Sequence, residues 1–491
     1  GISSFVVMVF VLLSTFVMTK VARKKEKFLD ESQQTTSDYS VAVRNPPKDA
    51  KDAKEWNDFF RQFGHVTAIT IAYDNEELLA QLMLRRSCVS QLEDLMPPGK
   101  AVDPKKLNAA VEIAAPVPWY WKLYGSLDAT TLKKKIDDIN KIVCDDLATR
   151  EYGVAEVFVV YETEASQQAA MQALRIPSFQ VLRNNASALE KIEYAFRGKH
   201  VLRVTEPPEP SSVRWQDLDE SVMQNVRQYI ITFFVTAFCI VLGCAFVVYI
   251  RAKYGTIYGA FAVTAVTSSA PYICYYIIDY MESHPHEGSR QVSLYFKVTA
   301  FLWITATLLT AKITPFIETL DNKADSLVPA MFAIFVTELF KSPVIQLTDV
   351  TGNFYRHVLA PRATNQKQMS NYFRGTAYDL SERYTDLTSV LFLTFYYAVL
   401  FPAGYFLAAL TLTVHYWVDK FCLLRVWQPA PAVGSEIARF SRTYFISIAV
   451  AIYAVMSSFN FASFPYDNAC SNETPVSANY AGSFNARTGE G

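Results

Sequence analysis

Seven long apolar blocks limit what this chain can fold into. A helix needs about 20 mostly apolar residues to cross the hydrocarbon core of a bilayer. Ile2–Thr19, Arg227–Ile250, Ile257–Met281, Leu294–Thr314, Leu327–Ile345 and Tyr444–Phe461 all approach or exceed that length. Leu387–Leu424 is too long for one helix, and Pro402 and Gly404 divide it, which predicts two spans meeting in a tight turn. The total is about eight spans by this length rule. One such block can be a buried helix of a soluble protein; this many define a polytopic α-helical membrane protein.

Lys and Arg set the orientation, because they collect on the cytoplasmic side of a membrane. The first span is followed at once by Lys20, Arg23, Lys24, Lys25 and Lys27, which places the long polar stretch after it in the cytoplasm. Alternation puts Ser283–Gln291, Asn353–Asp386 and Lys420–Arg442 on the same side, with Arg290, Arg356, Arg362, Lys367, Arg374, Arg425 and Arg439 among their residues. The loop Glu318–Ser326 and the tail from Ala462 fall opposite, and the Asn472-Glu-Thr triplet is a glycosylation acceptor weakened by Pro475. Arg251 and Lys253 go against the rule. The domain plan is a transmembrane helix at 1–22, a cytoplasmic domain at 23–224, a bundle of about seven helices at 225–465 and an extracytosolic tail at 466–491.

The cytoplasmic block has its own periodicities. Tyr39–Arg44, Val66–Tyr73, Val154–Tyr161 and Val201–Val204 read as strands. Ala50–Phe63 has helical spacing, with Trp56, Phe59, Phe60 and Phe63 on one side and Gly64 as a stop. Glu76–Leu95, Ala129–Thr149 and Glu164–Leu174 read as further helices. The order is that of a ferredoxin-like α+β unit with a helical insert, which is also the order of the RNA-recognition module. Phe158 and Tyr161 offer stacking surfaces, but the third strand lacks the basic residue and glycine of the RNA-binding signature and carries Glu156. With a net charge of −1, the chain offers a nucleic acid no overall attraction either. No nucleic-acid partner is expected.

Pro208-Glu-Pro-Ser-Ser-Val-Arg-Trp-Gln-Asp-Leu218, just ahead of the second span, resembles the Pro-Glu-Pro-x-Asp-Val-x-Trp-x-Asn-Leu signature of the calcium-permeable stress-gated cation channels. These are the OSCA proteins of plants and their animal relatives, distant cousins of the anoctamins. Pro208, Glu209, Pro210, Trp215 and Leu218 match, while Ser212 and Asp217 depart. Val157–Tyr161 with Ala169 and Ala170, the series Pro271, Glu282, Ser289, Arg290, Ser293 and Lys297, and the stretch from Tyr384 through Pro402 to Lys420–Trp427 are similar to the family in the same order. The resemblance implies a mechanically or osmotically gated, calcium-permeable, non-selective cation channel in the plasma membrane or an endomembrane. It also implies two further spans before Ile2 and one after the tail. Members occur as monomers or as homodimers that pair through the cytoplasmic domain. Partners are then membrane lipids and the permeating cations, Ca2+ among them.

A path for ions needs polar groups facing one another, since charges facing lipid are costly. Thr264, Thr267, Ser268 and Ser269 lie in the third span, and Thr305, Thr307, Thr310 and Lys312 in the fourth. Thr337, Glu338 and Lys341 lie in the fifth, with Gln346 and Asp349 at its cytoplasmic end. The resemblance implies that the second to sixth spans line one pore and that Leu327–Leu347 is its gating helix. That helix has no glycine to bend at, which leaves Pro343 as the source of a kink. Ser and Thr often bond only to their own helix backbone, and Glu338 with Lys341, three apart, also reads as a local ion pair.

Two other classes remain open. One is a phospholipid scramblase, which needs a hydrophilic groove open to lipid along Leu327–Phe401; the other is a non-conducting structural subunit. Enzyme chemistry is not expected. The His residues form no HExxH or nucleophile–base pattern, and the Cys residues form no CxxC pair, so neither a metal nor a cofactor is indicated. His284-Pro-His286 resembles a metal pair but lacks a nearby Cys and reads as a solvated loop. Cys422 reads as a buried thiol in preference to a palmitoylation site.

Overall fold

The structure, a computed structural model, describes residues 2–463 apart from 98–106, 118–121, 123–126, 178–179, 182, 184–188, 190, 219–221, 309–326, 364–365 and 429–432. The expected Glu318–Ser326 loop, Thr310, Lys312 and the Asn472 triplet lie outside the described residues.

Helix α1 (Ile2–Ser32) carries the basic cluster on its last turns and leads into a four-stranded sheet. The strands are β1 (Ser40–Val43), β2 (Val66–Tyr73), β3 (Val154–Tyr161) and β4 (Val204–Thr205), in the spatial order β2-β3-β1-β4. Every neighbouring pair is antiparallel. β4 begins later than its apolar run predicts. The Asn45 side chain occupies the backbone of Val201 and Arg203, so ladder pairing starts only at Val204.

One face of the sheet buries α2 (Ala53–Phe60) and α6 (Glu164–Ala173). Asp52 caps α2 by accepting from the Lys54 amide at 2.9 Å, and Thr163 caps α6. Trp56, Phe60, Val157, Val159, Tyr161 and Phe196 form the core between these layers. Side chains alternate across a strand, so Phe158 points the other way, toward Ala42, Val213 and Leu218. Between β2 and β3 sit α3 (Glu76–Asp94), α4 (Leu107–Ile113) and α5 (Ala129–Thr149), which close a separate core around Leu92, Leu132 and Ile136.

Beyond the sheet the chain is almost wholly helical. α7 (Val222–Tyr254) and α8 (Thr256–Met281) are joined by Gly255 alone, whose φ of +94° reverses the chain in one residue. α9 (Glu287–Trp303) runs on into a π turn at Ile304–Leu308. α10 (Leu327–Thr348) continues through Pro343 and stops at Asp349, which adopts φ +37° and caps the short α11 (Val350–Phe354). After α12 (Gln366–Tyr372) come α13 (Leu380–Tyr397), α14 (Gly404–Arg425), α15 (Glu436–Phe440) and α16 (Ile446–Ser463).

Among the described residues six helical stretches are long and apolar enough to cross a membrane: Phe5–Leu29, Met223–Tyr254, Phe261–Met281, Met331–Arg362, Gly404–Arg425 and Glu436–Ser458. Their outer faces expose Phe234, Phe261, Phe332, Phe406 and Leu424, a surface suited to lipid and not to water. The chain therefore has the build of an integral, polytopic membrane protein. α9 and α13, which fall in blocks read as spans, do not pass this test over their described residues. They lie inside the bundle, with Tyr295, Lys297 and Phe301 of α9 and Val390, Leu393 and Tyr397 of α13 all buried. A helix surrounded by helices can carry charges that a lipid-facing one cannot.

Contacts fix which helix ends share a side. Arg442, just after α15, pairs with Glu26 of α1 at 2.7 Å, and Thr232 near the start of α7 donates to Glu282 at the end of α8. The sheet sits at this same end, because Ser212 and Arg214 pair their backbones with Glu287 and Pro285 ahead of α9.

Candidate functional site

A cavity of about 670 Å³ opens between α7, α8 and α9 on one side and α10 and α13 on the other. The apolar clusters explain the gap. One ties α7, α8 and α9 through Ile240, Cys274 and Leu294, and another ties α10, α13 and α14 through Phe335, Leu393 and Ala408. Among the described residues no buried cluster joins α8 to α10, so the two helices stand as facing walls.

Of the residues singled out in the sequence, Thr267, Ser268, Thr337, Glu338, Lys341 and Gln346 line this cavity, as do Thr264 and Thr307. The Thr267 and Thr337 hydroxyls donate to Val263 and Ala333 of their own helices, as Thr in a membrane helix often does. Pro271 also faces the cavity and has no amide to give the Thr267 carbonyl, which leaves a backbone oxygen without its helical partner. Glu338 and Lys341 do not form the local ion pair that their spacing allows. Among the described residues neither head group has a hydrogen-bond or ion-pair partner, while the Glu338 carbonyl accepts from His415 Nε2 at 3.2 Å.

Three candidates lie elsewhere. Thr305 is fully buried beside Cys244. Pro343 is buried within α10 but is not part of the lining. Asp349 holds the start of α11, accepting from the Gly352 amide at 3.1 Å and from Thr376, with Arg356 at 3.6 Å.

The charged end of the cavity comes from a region that the sequence showed only as a polar loop. Arg383 is buried among Glu382 at 2.9 Å, Asp386 at 3.4 Å and Asp419 at 3.6 Å. Ser342 links this group to α10, donating to Asp386 at 2.6 Å and accepting from Gln346 at 2.6 Å and Arg383 at 3.1 Å. Tyr275 of α8 donates to Asp379. Three carboxylates around one guanidinium, with Asp379 close by on Tyr275, leave this end net negative. The signal was the Asp379-x-x-Glu-Arg-x-x-Asp386 spacing, which places Glu382, Arg383 and Asp386 along one side of a helix start.

A second feature was also available in the sequence. Thr264, Ser268, Tyr272, Tyr276 and Tyr280 recur every four residues, and all five are exposed on α8. At 1.5 Å per residue, this hydroxyl stripe runs roughly 24 Å along the helix.

The Pro208–Leu218 segment lies at the joint between sheet and bundle. Glu209 accepts from Ser37 Oγ at 2.9 Å and Thr36 Oγ1 at 3.2 Å, tying the exit of the sheet to its entrance. Pro208 and Pro210 flank that carboxylate. Trp215 packs edge-on to Phe158 with ring centroids 5.5 Å apart, and Leu218 covers the same sheet face. Neither aromatic proposed for base stacking is open, since Phe158 lies under this segment and Tyr161 in the helical core.

His284-Pro-His286 is not a solvated loop. His284 is 1% exposed, clasped between Glu282 (3.1 Å) and the Tyr229 and Ser289 hydroxyls (3.4 Å each). The turn is sealed because the Pro208–Leu218 segment pairs with it, Val213 opposite His286. Cys422 is buried, as expected of an ordinary thiol.

The fold and cavity together define a polytopic membrane protein with a polar, charge-bearing space between its helices. The chain matches no protein-family model and no curated protein.

Proposed function

We propose that the chain belongs to the stress-gated cation channels and that its cavity is part of a cation path. The observation that carries this reading is the lining itself. The five helices α7, α8, α9, α10 and α13 that enclose the cavity correspond to the second through sixth spans, the set the resemblance assigns to the pore. In this reading α9 and α13 also cross the membrane, for about eight spans in all. The sheet order, with a helical insert after β2, supports a ferredoxin-like domain, and the basic end of α1 supports its placement in the cytoplasm. The acidic surround of Arg383 concentrates cations at one mouth, and Glu338 replaces part of a cation's hydration shell deeper in. Membrane tension favours a state of larger area, shifting α10 against α8, which no shared core holds together.

One observation favours a second reading, a phospholipid scramblase. The hydroxyl stripe on α8 runs from the cavity lining at Thr264, Ser268 and Tyr272 to the exposed Tyr276 and Tyr280, and a polar track open to the acyl phase is what a moving headgroup requires. Recording from stretched liposomes holding the purified chain, together with a dye-quenching assay of lipid transfer, separates the two. Tension-gated cation current without lipid transfer supports the channel; lipid transfer without current supports the scramblase. Neither signal leaves a structural subunit and defeats both.

A further inference from the structure

The turn that joins the sheet's exit to the bundle faces a half-exposed carboxylate of α15, one of whose oxygens has an unmet need. Glu436 Oε2 of α15 is buried without a hydrogen-bond partner. Its ion-pair contact is His286 Nδ1 at 3.3 Å, but that nitrogen accepts the Ser289 amide proton at 3.2 Å and so caps α9. A ring nitrogen that accepts carries no proton there, so it has none to give the carboxylate. Gly288 makes room for this seat, since a Cβ at that position would fall 1.8 Å from Glu436 Oε2.

The surrounding charges are committed elsewhere. On α9, Glu287 is held by Arg290 at 2.9 Å and approached by the linker's Arg214 at 3.7 Å, and Arg214 also pairs with Asp217 at 2.7 Å. At the end of α8, Glu282 is bound by Lys297 and His284. On β3, Glu156 faces His286 across the joint with Arg44 at 3.6 Å, and its Oε1 is buried without a hydrogen bond. Among the described residues only His286 comes within ion-pair range of Glu436.

We propose that His286 is a proton-operated switch in the joint between sheet and bundle. Neutral, it caps α9; protonated at Nδ1, it releases the Ser289 amide and donates to Glu436, passing the turn's grip from α9 to α15. Imidazole is the side chain whose charge can change near neutrality. The same turn is the backbone partner of Ser212 and Arg214, so the swap changes which helix the sheet's exit is fastened to. This holds whether the cavity carries ions or lipid.

Hydrogen exchange of the full chain in lipid nanodiscs, corrected for intrinsic rates, tests it. Between about pH 7.5 and pH 5.5, exchange in the first turn of α9 should rise about five-fold, the size of a lost helix cap. Exchange across residues 435–440 should fall over the same interval. His286→Asn keeps a capping acceptor that does not titrate, and should abolish both responses. Gly288→Ala pushes the carboxylate aside and should keep the α9 response while losing the α15 one. Changes of the same sign in both segments, or responses that persist in His286→Asn, would overturn the proposal. If His286→Asn does not fold, Gly288→Ala decides the matter alone, and retention of the α15 response there is equally fatal.

Discussion

Lys297 of α9 reaches back across the turn to Glu282 at the end of α8, and the two side chains are 5% and 0% exposed. Their remaining valences are filled. Ser293 donates to Glu282 at 2.6 Å and accepts from Lys297 at 2.7 Å, Thr232 of α7 donates to Glu282, and His284 completes the ring. A buried ion pair repays its desolvation only when hydrogen bonds satisfy it to this degree. Three helices and the 284–286 turn are thereby locked at one end, the end where the sheet attaches.

Removing one member should cost far more than removing both. Lys297→Met is expected to destabilise the protein by about 3–5 kcal/mol, because it strands a buried carboxylate. Adding Glu282→Gln should restore much of that loss. Denaturant unfolding in mild detergent, followed by tryptophan fluorescence, would show it; a double variant no better than the single one would refute the pairing.

Acid should unlock the same junction. Burial pushes the Glu282 carboxyl up, but the His284 hydrogen bond, the Lys297 charge and bonds from Lys297 and Ser293 outweigh it and hold the group at about 2. A carboxyl depressed on folding stabilises above its unfolded value, and that contribution drains away as pH falls toward the folded one. The expected window is from about 4.5 down to about 2. Wild-type melting temperature should drop through this window more steeply than that of Glu282→Gln.

Trp215 should matter to attachment more than to the sheet's own core. Trp215→Ala removes an edge-on aromatic contact, worth about 0.5–1.5 kcal/mol beyond the area it buries. It also uncovers Phe158. Limited proteolysis should cut sooner within residues 206–218, while α2 and α6 stay protected. Cleavage at an unchanged rate would argue that Trp215 merely lies on the surface.

On the channel reading, the two unpaired charges in the cavity act in opposite directions. Lys341→Gln should raise single-channel cation conductance several-fold by removing a repulsive charge, and Glu338→Gln should lower it. Neither should unfold the protein, since among the described residues neither head group has a partner to abandon. Conductance unmoved by both variants would place the path elsewhere.

The sequence made some of this legible and hid the rest. β2, β3 and α5 fall on the residues their patterns predict, because each is bounded by strong local signals such as Gly153 before β3 and Asp128 before α5. Six of the nine proposed lining residues meet in the cavity, because polar residues inside apolar helices have few other places to go. Asp349 was misplaced as a lining residue, since a left-handed cap looks in sequence like a charge at a helix end. The Arg383 group is legible only in part: the 379–386 spacing reports Glu382 and Asp386, but no local pattern reports Ser342 of α10 or Asp419 of α14. The histidine turn was misread for a related reason: what buries it is a segment some seventy residues earlier.

The burial of α9 and α13 has a consequence for how the protein is made. Both carry charges that an isolated helix pays heavily to bring into the acyl phase, at roughly 2.5–3.5 kcal/mol each at mid-depth. On the reading in which both also span the membrane, neither is expected to leave the insertion machinery singly and wait in lipid for company. α9 must be delivered against α7 and α8, which precede it in synthesis and offer Glu282 to receive Lys297. α13 has α10 already in place but depends on α14, made after it, for Asp419 to meet Arg383. The ribosome therefore has to finish α14 before the second half of the bundle can settle, and mistakes in biogenesis should gather at Arg383.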